Sequence, residues 1–147
     1  MEISAEDVEA FMQGYAEAMD SGVKSGKPDG KLIACHFAAD LIAASPAGIQ
    51  AASSKGLAAV VEQGIASYRA MGGAAFVAEA IAIEELAPTS FMASVGWRFD
   101  YKRPKDGKEG SVSFTNRYFV NSADGSPKIF AWITPDEQAA LKQHGLA

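Results

Sequence analysis

From Ala75 onward the apolar residues of this chain alternate with polar ones, and that period of two is the period of a β-strand. The alternation predicts four strands, at residues 75–86, 90–102, 111–122 and 127–133. The segments between them have typical turn compositions, namely Pro88-Thr89, Lys105-Asp106-Gly107 and Ala123-Asp124-Gly125. Because these connections are short, we expect neighbouring strands to be antiparallel.

The N-terminal part of the chain has a helical period instead. One apolar stripe comprises Val8, Phe11, Met12, Tyr15 and Met19. Together with a capping box formed by Ser4 and Asp7, the stripe predicts a first helix over residues 4–20. A second amphipathic helix is expected between Ser53-Ser54 and the Gly72-Gly73 pair, because glycines often end helices.

The remaining elements are shorter. A loop is expected over residues 21–31, a short helix over 32–36, and a strand over 37–44 that ends in the turn Ser45-Pro46-Ala47-Gly48. Thr134-Pro135-Asp136-Glu137 predicts a terminal helix through residue 143, with Thr134 as its N-cap. Helices followed by an antiparallel meander indicate an α+β fold in which helices cover one face of a curved sheet.

Length, charge and cysteine content exclude several classes of protein and partner. At 147 residues the chain fits a single domain, 1–147, and its formal net charge of −5 disfavours nucleic acid or an anionic membrane as partner. The lone Cys35 excludes an intrachain disulfide, and two widely separated histidines make a metal site improbable. No phosphate-loop spacing occurs, so no cofactor is expected. An acidic start and the lack of a long apolar run predict a soluble, cytoplasmic protein.

The two longest strands have one apolar and one polar face. The turn near Asp106-Gly107 pairs residues whose numbers sum to about 213, which places Phe99 opposite Phe114. One face then carries large apolar residues, namely Phe91, Val95, Trp97, Phe99, Tyr101, Val112, Phe114, Tyr118 and Val120. We expect the helices to cover this face, because exposing each large side chain would forfeit about 1.5–3 kcal/mol.

Asn116 is the one strongly polar residue on the apolar face. A buried amide needs hydrogen-bond partners, so Asn116 either bonds to the framework or points into a cavity. The opposite face includes Arg98, Asp100, Thr115 and Arg117, and we expect it to face solvent or a partner subunit.

The order of elements resembles that of the nuclear-transport-factor-2-like superfamily, an α+β cone with a cystatin-like fold that includes ketosteroid isomerases and SnoaL-like proteins. The resemblance covers nearly the whole chain. It is carried by the segments Met12-Gln13-Gly14-Tyr15, Phe37-Ala38-Ala39-Asp40, Ser45-Pro46-Ala47-Gly48, Lys55-Gly56-Leu57, Trp97 and Lys128-Ile129-Phe130-Ala131-Trp132-Ile133. The resemblance implies a largely apolar pocket between the helices and the concave sheet face, and a homodimer formed through the convex face.

Two enzymes of the superfamily provide templates. The resemblance to ketosteroid isomerases places Tyr15 at the position of an oxyanion donor, but Ser45 stands where those enzymes have their catalytic base, and a hydroxyl is a poor base at neutral pH. Limonene-epoxide-hydrolase-like members use an Arg-x-Asp pair and a second Asp. Arg98 and Asp100 match the pair, whereas the second Asp is replaced by Ile133 or Thr134, and the pair lies on the polar face.

Other polar residues have simple structural interpretations. His36 and Asp40 are four residues apart and could form an acid–base pair, but a local hydrogen bond or a helix cap is the simpler interpretation. Cys35 is expected to be a small buried residue, and His144 to interact with the end of the last helix.

We therefore expect a pocket lined by Tyr15, Ser45, Trp97, Phe99, Asn116, Tyr118 and Trp132. The first hypothesis is binding of a small, mostly apolar or aromatic molecule, either without catalysis or with a reaction that the sequence does not identify. The second is a homodimeric structural or interaction module whose cavity is filled by its own side chains. The third is an isomerase, cyclase or dehydratase in which Tyr15 and Asn116 stabilise a developing enolate.

Overall fold

A computed structural model describes residues 2–146 of the chain. The helices are α1 (Ala5–Ser25), α2 (Gly30–Ala34), α3 (Ser54–Ala70) and α4 (Glu137–Gln143). The strands are β1 (Phe37–Ser45), β2 (Gly48–Ser53), β3 (Gly73–Ala87), β4 (Ser90–Lys102), β5 (Glu109–Asn121) and β6 (Lys128–Ile133). The strands form one sheet in the order β2-β1-β6-β5-β4-β3, with β1 and β6 parallel and all other neighbours antiparallel. The predicted α+β architecture is confirmed.

Helix α1 begins as predicted but ends later. The Ser4 hydroxyl accepts the Asp7 N–H, and the Asp7 carboxylate accepts the Ser4 N–H, which completes the capping box. The helix continues through Ser25 and ends at Gly26, whose φ of 73° is the left-handed conformation that glycine adopts easily. The last turn lacks an apolar stripe, but Gly22 and Val23 are buried there, so packing extends the helix beyond the predicted end.

Strand β2 was not expected. Its sequence Gly-Ile-Gln-Ala-Ala-Ser does not alternate, and every residue in it is exposed, so nothing in its hydropathy indicated a strand. It forms because the predicted turn after β1 folds the chain back, pairing Ser45 with Gly48 and Asp40 with Ser53. The result is a short hairpin at the edge of the sheet.

The starts of two short helices differ from the prediction. Helix α2 begins at Gly30 and is capped by Asp29, whose carboxylate accepts the Leu32 N–H. The expectation that Thr134 caps α4 is wrong, because the Asp136 carboxylate accepts the Ala139 N–H instead and the helix begins at Glu137. Asp is as good an N-cap as Thr, so local sequence does not discriminate between the two starts.

The predicted faces of β4 and β5 are confirmed, although their register is shifted by two residues. Phe114 lies opposite Trp97, and Phe99 lies opposite Val112. A shift of two leaves each side chain on its original face, because the side-chain period of a strand is also two. The buried face of β4 includes Phe91, Trp97 and Phe99, as expected.

The helices cover the apolar face of the sheet. Helix α1 packs against β3, β4 and α3, and α3 in turn contacts α2, β1, β2 and β3. The pairing of β3 with β4 is irregular at three places, and such bulges bend a strand and increase its twist. The sheet therefore curves around the helices. No helix within residues 2–146 is long and apolar enough to cross a membrane.

Candidate ligand cavity

An open cavity of about 560 Å³ lies between the helices and the concave sheet face. Most of its lining is apolar or aromatic. The lining comprises Tyr15, Met19, Phe37, Ala43, Gln50, Ala51, Ala52, Ser53, Gly56, Leu57, Val60, Val61, Tyr68, Phe76, Trp97, Asn116, Tyr118, Trp132, Thr134 and Glu137. Its volume is within the range of small-molecule sites.

A small hydrogen-bond network lies among the sheet residues of the cavity. The indole N–H of Trp97 donates to the Tyr118 hydroxyl at 3.1 Å, and Asn116 Nδ2 donates to the same oxygen at 3.3 Å. Asn116 is only 8% exposed, and its Oδ1 has no hydrogen-bond partner among residues 2–146. Leaving a buried polar atom without a partner costs about 1–3 kcal/mol, so this acceptor is a marked exception in a well-packed sheet.

Tyr15 approaches this network from helix α1. Its ring makes edge-to-face contacts with Tyr118, at 5.6 Å between centroids, and with Trp97, at 6.2 Å. Burial raises the pKa of Tyr15 well above its usual value, and the neighbouring Tyr118 raises that pKa further. Burial likewise raises the pKa of Tyr118, although hydrogen bonds from Asn116 and Trp97 partly offset the increase. Both phenols are therefore neutral hydrogen-bonding groups at physiological pH.

A second polar pair joins α3 to α4. The Tyr68 hydroxyl donates to Oε1 of Glu137, and both side chains line the cavity. Burial raises the pKa of the Glu137 carboxyl group above its usual range, while the hydrogen bond from Tyr68 opposes that increase. The Tyr68 pKa is raised well above its usual value, first by burial and then by the negative charge of Glu137. The pair is thus a carboxyl group in a poorly solvated site with one neutral donor.

The cavity contains five of the seven residues expected to line it, namely Tyr15, Trp97, Asn116, Tyr118 and Trp132. Ser45 lies outside, at the exposed end of β1, where its hydroxyl accepts the Ala47 N–H at 3.2 Å. Phe99 also lies outside. It is fully buried against the rings of Tyr68 and Phe76, which separate it from the open volume.

Sequence reasoning missed Tyr68 and Glu137 as cavity residues. Tyr68 falls within the second predicted helix, and Glu137 falls within the predicted start of the terminal helix. No periodicity relates two residues 69 positions apart. The sequence does show a carboxylate, Glu137, near the start of the helix that follows the last strand. Only the packing of α4 shows that this carboxylate faces the cavity.

Arg98 and Asp100, which lie outside the cavity, have local partners. Arg98 forms ion pairs with Asp100 and with Glu79, and the Ser111 hydroxyl donates to Asp100. Burial alone would raise the pKa of Asp100, but the hydrogen bonds from Ser111 and Arg98 lower it below its usual value. This set lies on the outer face of the sheet, away from the cavity, as the face assignment predicted.

The residues next to α2 also lie outside the cavity. His36 Nδ1 lies 2.9 Å from the Leu32 carbonyl oxygen, which is the local helix-end contact expected for it. Cys35 is exposed rather than buried, because it lies at the end of the short α2, and its thiol donates to the Leu32 carbonyl. Within the described part of the chain, no group of three or more His, Cys, Asp or Glu residues is arranged to hold a metal ion.

Three solved structures show the same fold at low sequence identity. An NTF2-like protein with a cystatin-like fold from Novosphingobium aromaticivorans has a TM-score of 0.68 and 17% identity, and covers 96% of this chain and 86% of its own. An NTF2-like superfamily protein from Salmonella enterica has a TM-score of 0.63 and 13% identity, with 90% and 92% covered. A ketosteroid isomerase-like protein from Erwinia carotovora has a TM-score of 0.61 and 14% identity, with 87% and 92% covered.

No curated protein matches the sequence. The family described as NTF2-like protein (DUF6841) matches residues 5–137, which is most of the chain and includes every cavity residue named above. The chain therefore belongs to the NTF2-like family, with a cystatin-like α+β fold.

Proposed function

We propose that this protein binds a small, mostly apolar or aromatic molecule in the cavity between its helices and sheet. The observation that carries the proposal is a largely apolar cavity of about 560 Å³, whose wall includes Asn116 with an Oδ1 that has no partner among residues 2–146. A ligand that donates one hydrogen bond to this oxygen removes the cost of its desolvation. The apolar lining supplies the hydrophobic driving force and selects the shape of the ligand.

The open volume favours this proposal over a module whose cavity is filled by its own side chains. The lining side chains leave room for a small molecule, and the size of the space is that of a ligand pocket. The aromatic side chains around the space already contact one another edge to face, as Phe37 does with Trp132 and with Tyr15, so they present a preformed surface.

Two glycines of helix α3 allow a test in which one substitution blocks the cavity and a matched substitution does not. Gly56 lines the cavity and Gly64 does not, and a Cβ atom added to either would meet no heavy atom within 4 Å. We expect Gly56→Leu to weaken binding of an aromatic probe such as 2-naphthol tenfold or more, because the new side chain occupies ligand space. The matched control Gly64→Leu should bind the probe like the wild type. Equal affinity in all three proteins, measured by calorimetry, would place the bound probe elsewhere.

A second candidate function is acid–base catalysis, as in an isomerase, cyclase or dehydratase. The carboxyl group of Glu137 favours it, because burial raises the pKa of this group toward the range in which a general base works at neutral pH. In this scheme Glu137 removes a proton from carbon next to a carbonyl group. Tyr15 and Asn116 stabilise the enolate oxygen, and the proton returns to another carbon.

Hydrogen–deuterium exchange of a model ketone tests the catalytic candidate. In D2O, 2-tetralone exchanges the hydrogens next to its carbonyl group slowly without a catalyst. We expect the wild type to accelerate this exchange, and Glu137→Gln to reduce the acceleration at least a hundredfold. Exchange at the buffer rate in the presence of saturating wild-type protein would remove the candidate for this class of ketone while leaving the binding proposal in place.

We also propose that two copies pair through the outer sheet face. Beside Arg98, Asp100, Thr115 and Arg117 this face carries large exposed apolar side chains, namely Ile42, Phe130 and Ile133. An apolar patch with a polar rim is typical of a protein interface. Light scattering should give a dimer mass for the wild type and a monomer mass for Ile133→Glu. A monomeric wild type at micromolar concentration would contradict the pairing.

For the compartment, we propose the cytoplasm. Cys35 is the only cysteine of the chain and its thiol is free, which suits a reducing environment. Fractionation of cells that express the protein at its natural level tests this assignment.

A further inference from the structure

Two hydrogen-bond acceptors in the cavity lining are incompletely matched. Oδ1 of Asn116 has no partner in the described part of the chain. The Glu137 carboxyl group has four lone-pair sites and a single donor, the Tyr68 hydroxyl, among residues 2–146. A ligand that complements both groups must therefore bring donors.

The cavity also lacks a positive charge to balance Glu137. Of the lining residues in the described chain, none is Lys, Arg or His, and the remaining titratable groups are Tyr15, Tyr68 and Tyr118, which are neutral. An ionised carboxylate in an apolar site is costly unless a cation accompanies it. Formation of an ion pair with a ligand is the direct way to remove that cost.

The aromatic lining suits a cation as well. Seven aromatic residues border the open volume, namely Tyr15, Phe37, Tyr68, Phe76, Trp97, Tyr118 and Trp132. The face of an aromatic ring carries partial negative charge and attracts ammonium groups by about 0.5–2 kcal/mol per contact. The same rings accommodate an apolar or aromatic body. One ligand can therefore contact the aromatic lining and also supply the positive charge.

We propose that the ligand is a protonated organic amine with an apolar or aromatic body, whose ammonium group pairs with the carboxylate of Glu137. This inference rests on the proposed binding function and specifies the ligand class. An ammonium group combines a positive charge with three N–H donors, and it therefore suits a carboxylate that has one donor and no cation beside it among residues 2–146. The formal net charge of −5 of the whole chain also favours the approach of a cation.

A pair of isosteric compounds tests the inference. Isothermal titration calorimetry at pH 7.5 compares 2-phenylethylamine, which is protonated, with 2-phenylethanol, which is neutral and has the same carbon skeleton. We expect the amine to bind the wild type at least tenfold more tightly than the alcohol. Glu137→Gln should remove this preference by weakening the amine, with the alcohol affinity unchanged within about threefold. The control Glu85→Gln removes an exposed carboxylate of β3 and should preserve the preference.

The outcomes separate the two proposals. If the alcohol binds the wild type as tightly as the amine, the amine inference is wrong and the binding function stands. If neither compound nor 2-naphthol binds at millimolar concentration, the binding function itself is wrong. A preference that persists in a folded Glu137→Gln protein also overturns the inference, because the charge of Glu137 is then not its source. The comparison of amine and alcohol affinities for the wild type tests the inference even if the Glu137→Gln protein does not fold.

Discussion

Tyr68 of helix α3 donates a hydrogen bond to Glu137 of helix α4, across 69 positions of sequence, and both side chains face the same cavity. This contact brings a carboxyl group into a space that is otherwise apolar and aromatic. A second polar group of the cavity is the Tyr118 hydroxyl, which accepts from Trp97 and from Asn116. The cavity thus has two separate polar positions on an apolar surface, which is the pattern expected of a small-molecule site.

Removing the Tyr68 hydroxyl should raise the pKa of Glu137 further. The hydrogen bond stabilises the ionised carboxylate and lowers the pKa, whereas burial raises it, so Tyr68→Phe leaves burial unopposed. NMR titration of the 13C-labelled Glu carboxyl signals in both proteins measures the change. A lower Glu137 pKa in the variant would show that the hydroxyl does not act as a donor to this group.

Neutralising Glu137 should stabilise the protein at neutral pH. Its folded-state pKa is raised above the usual value of 4.5, so the folded state binds the proton more tightly than the unfolded state. The protonated Glu137 carboxyl group contributes to the free energy of unfolding. This contribution is fully present below about pH 4.5 and is lost as the pH rises through the folded-state pKa. Thermal unfolding should therefore give Glu137→Gln a higher Tm than the wild type at pH 7.5, and a smaller difference at pH 4.

The control for that experiment is Glu85→Gln, which changes an exposed carboxylate on β3. It should show no comparable pH-dependent gain. A Glu137→Gln protein that is less stable than the wild type at pH 7.5 would mean that the carboxylate contributes favourable contacts that outweigh its burial.

Phe99 should matter for stability rather than for ligand recognition. It is fully buried among other rings and lies outside the cavity lining. Phe99→Ala removes that packing and should cost about 3–5 kcal/mol of unfolding free energy in urea titrations. The milder Phe99→Leu should fold and bind 2-naphthol with wild-type affinity, and a tenfold loss of affinity in this variant would place Phe99 in the site after all.

Asn116→Leu should separate ligand recognition from stability. The substitution removes an unpartnered buried acceptor, so the unfolding free energy should stay within about 1 kcal/mol of the wild type or increase. The wild type should bind 2-naphthol more tightly than 2-methylnaphthalene, because only the naphthol donates a hydrogen bond, and the variant should bind the two equally. A preference for naphthol that survives the substitution would assign the acceptor to another residue.

Much of this fold could be predicted because its elements repeat a simple period. The alternation in β4 and β5 fixed which face is buried, so the positions of Trp97 and Asn116 followed even though the register was wrong by two residues. Strand β2 could not be predicted in the same way, since its pairing with β1 comes from the preceding turn and not from its own alanine-rich sequence.

The cavity was less predictable than the sheet. Tyr15, Asn116 and Trp132 could be assigned because each lies on the buried side of its own element. Glu137 could not, since its position depends on where α4 packs after the sheet is complete. Phe99 lies on the buried face of β4, as Trp97 does. It is excluded from the open volume because the rings of Tyr68 and Phe76, from other elements, cover it.

The most direct test of the central claim is NMR titration of 15N-labelled protein with a panel of small aromatic compounds that includes 2-naphthol and 2-phenylethylamine. The account predicts that at least one compound causes saturable shifts of the Trp97 indole N–H and the Asn116 side-chain amide signals, and that Gly56→Leu suppresses these shifts. The absence of shifts at both signals with every compound at millimolar concentration would contradict the claim that this cavity binds a small molecule of this class.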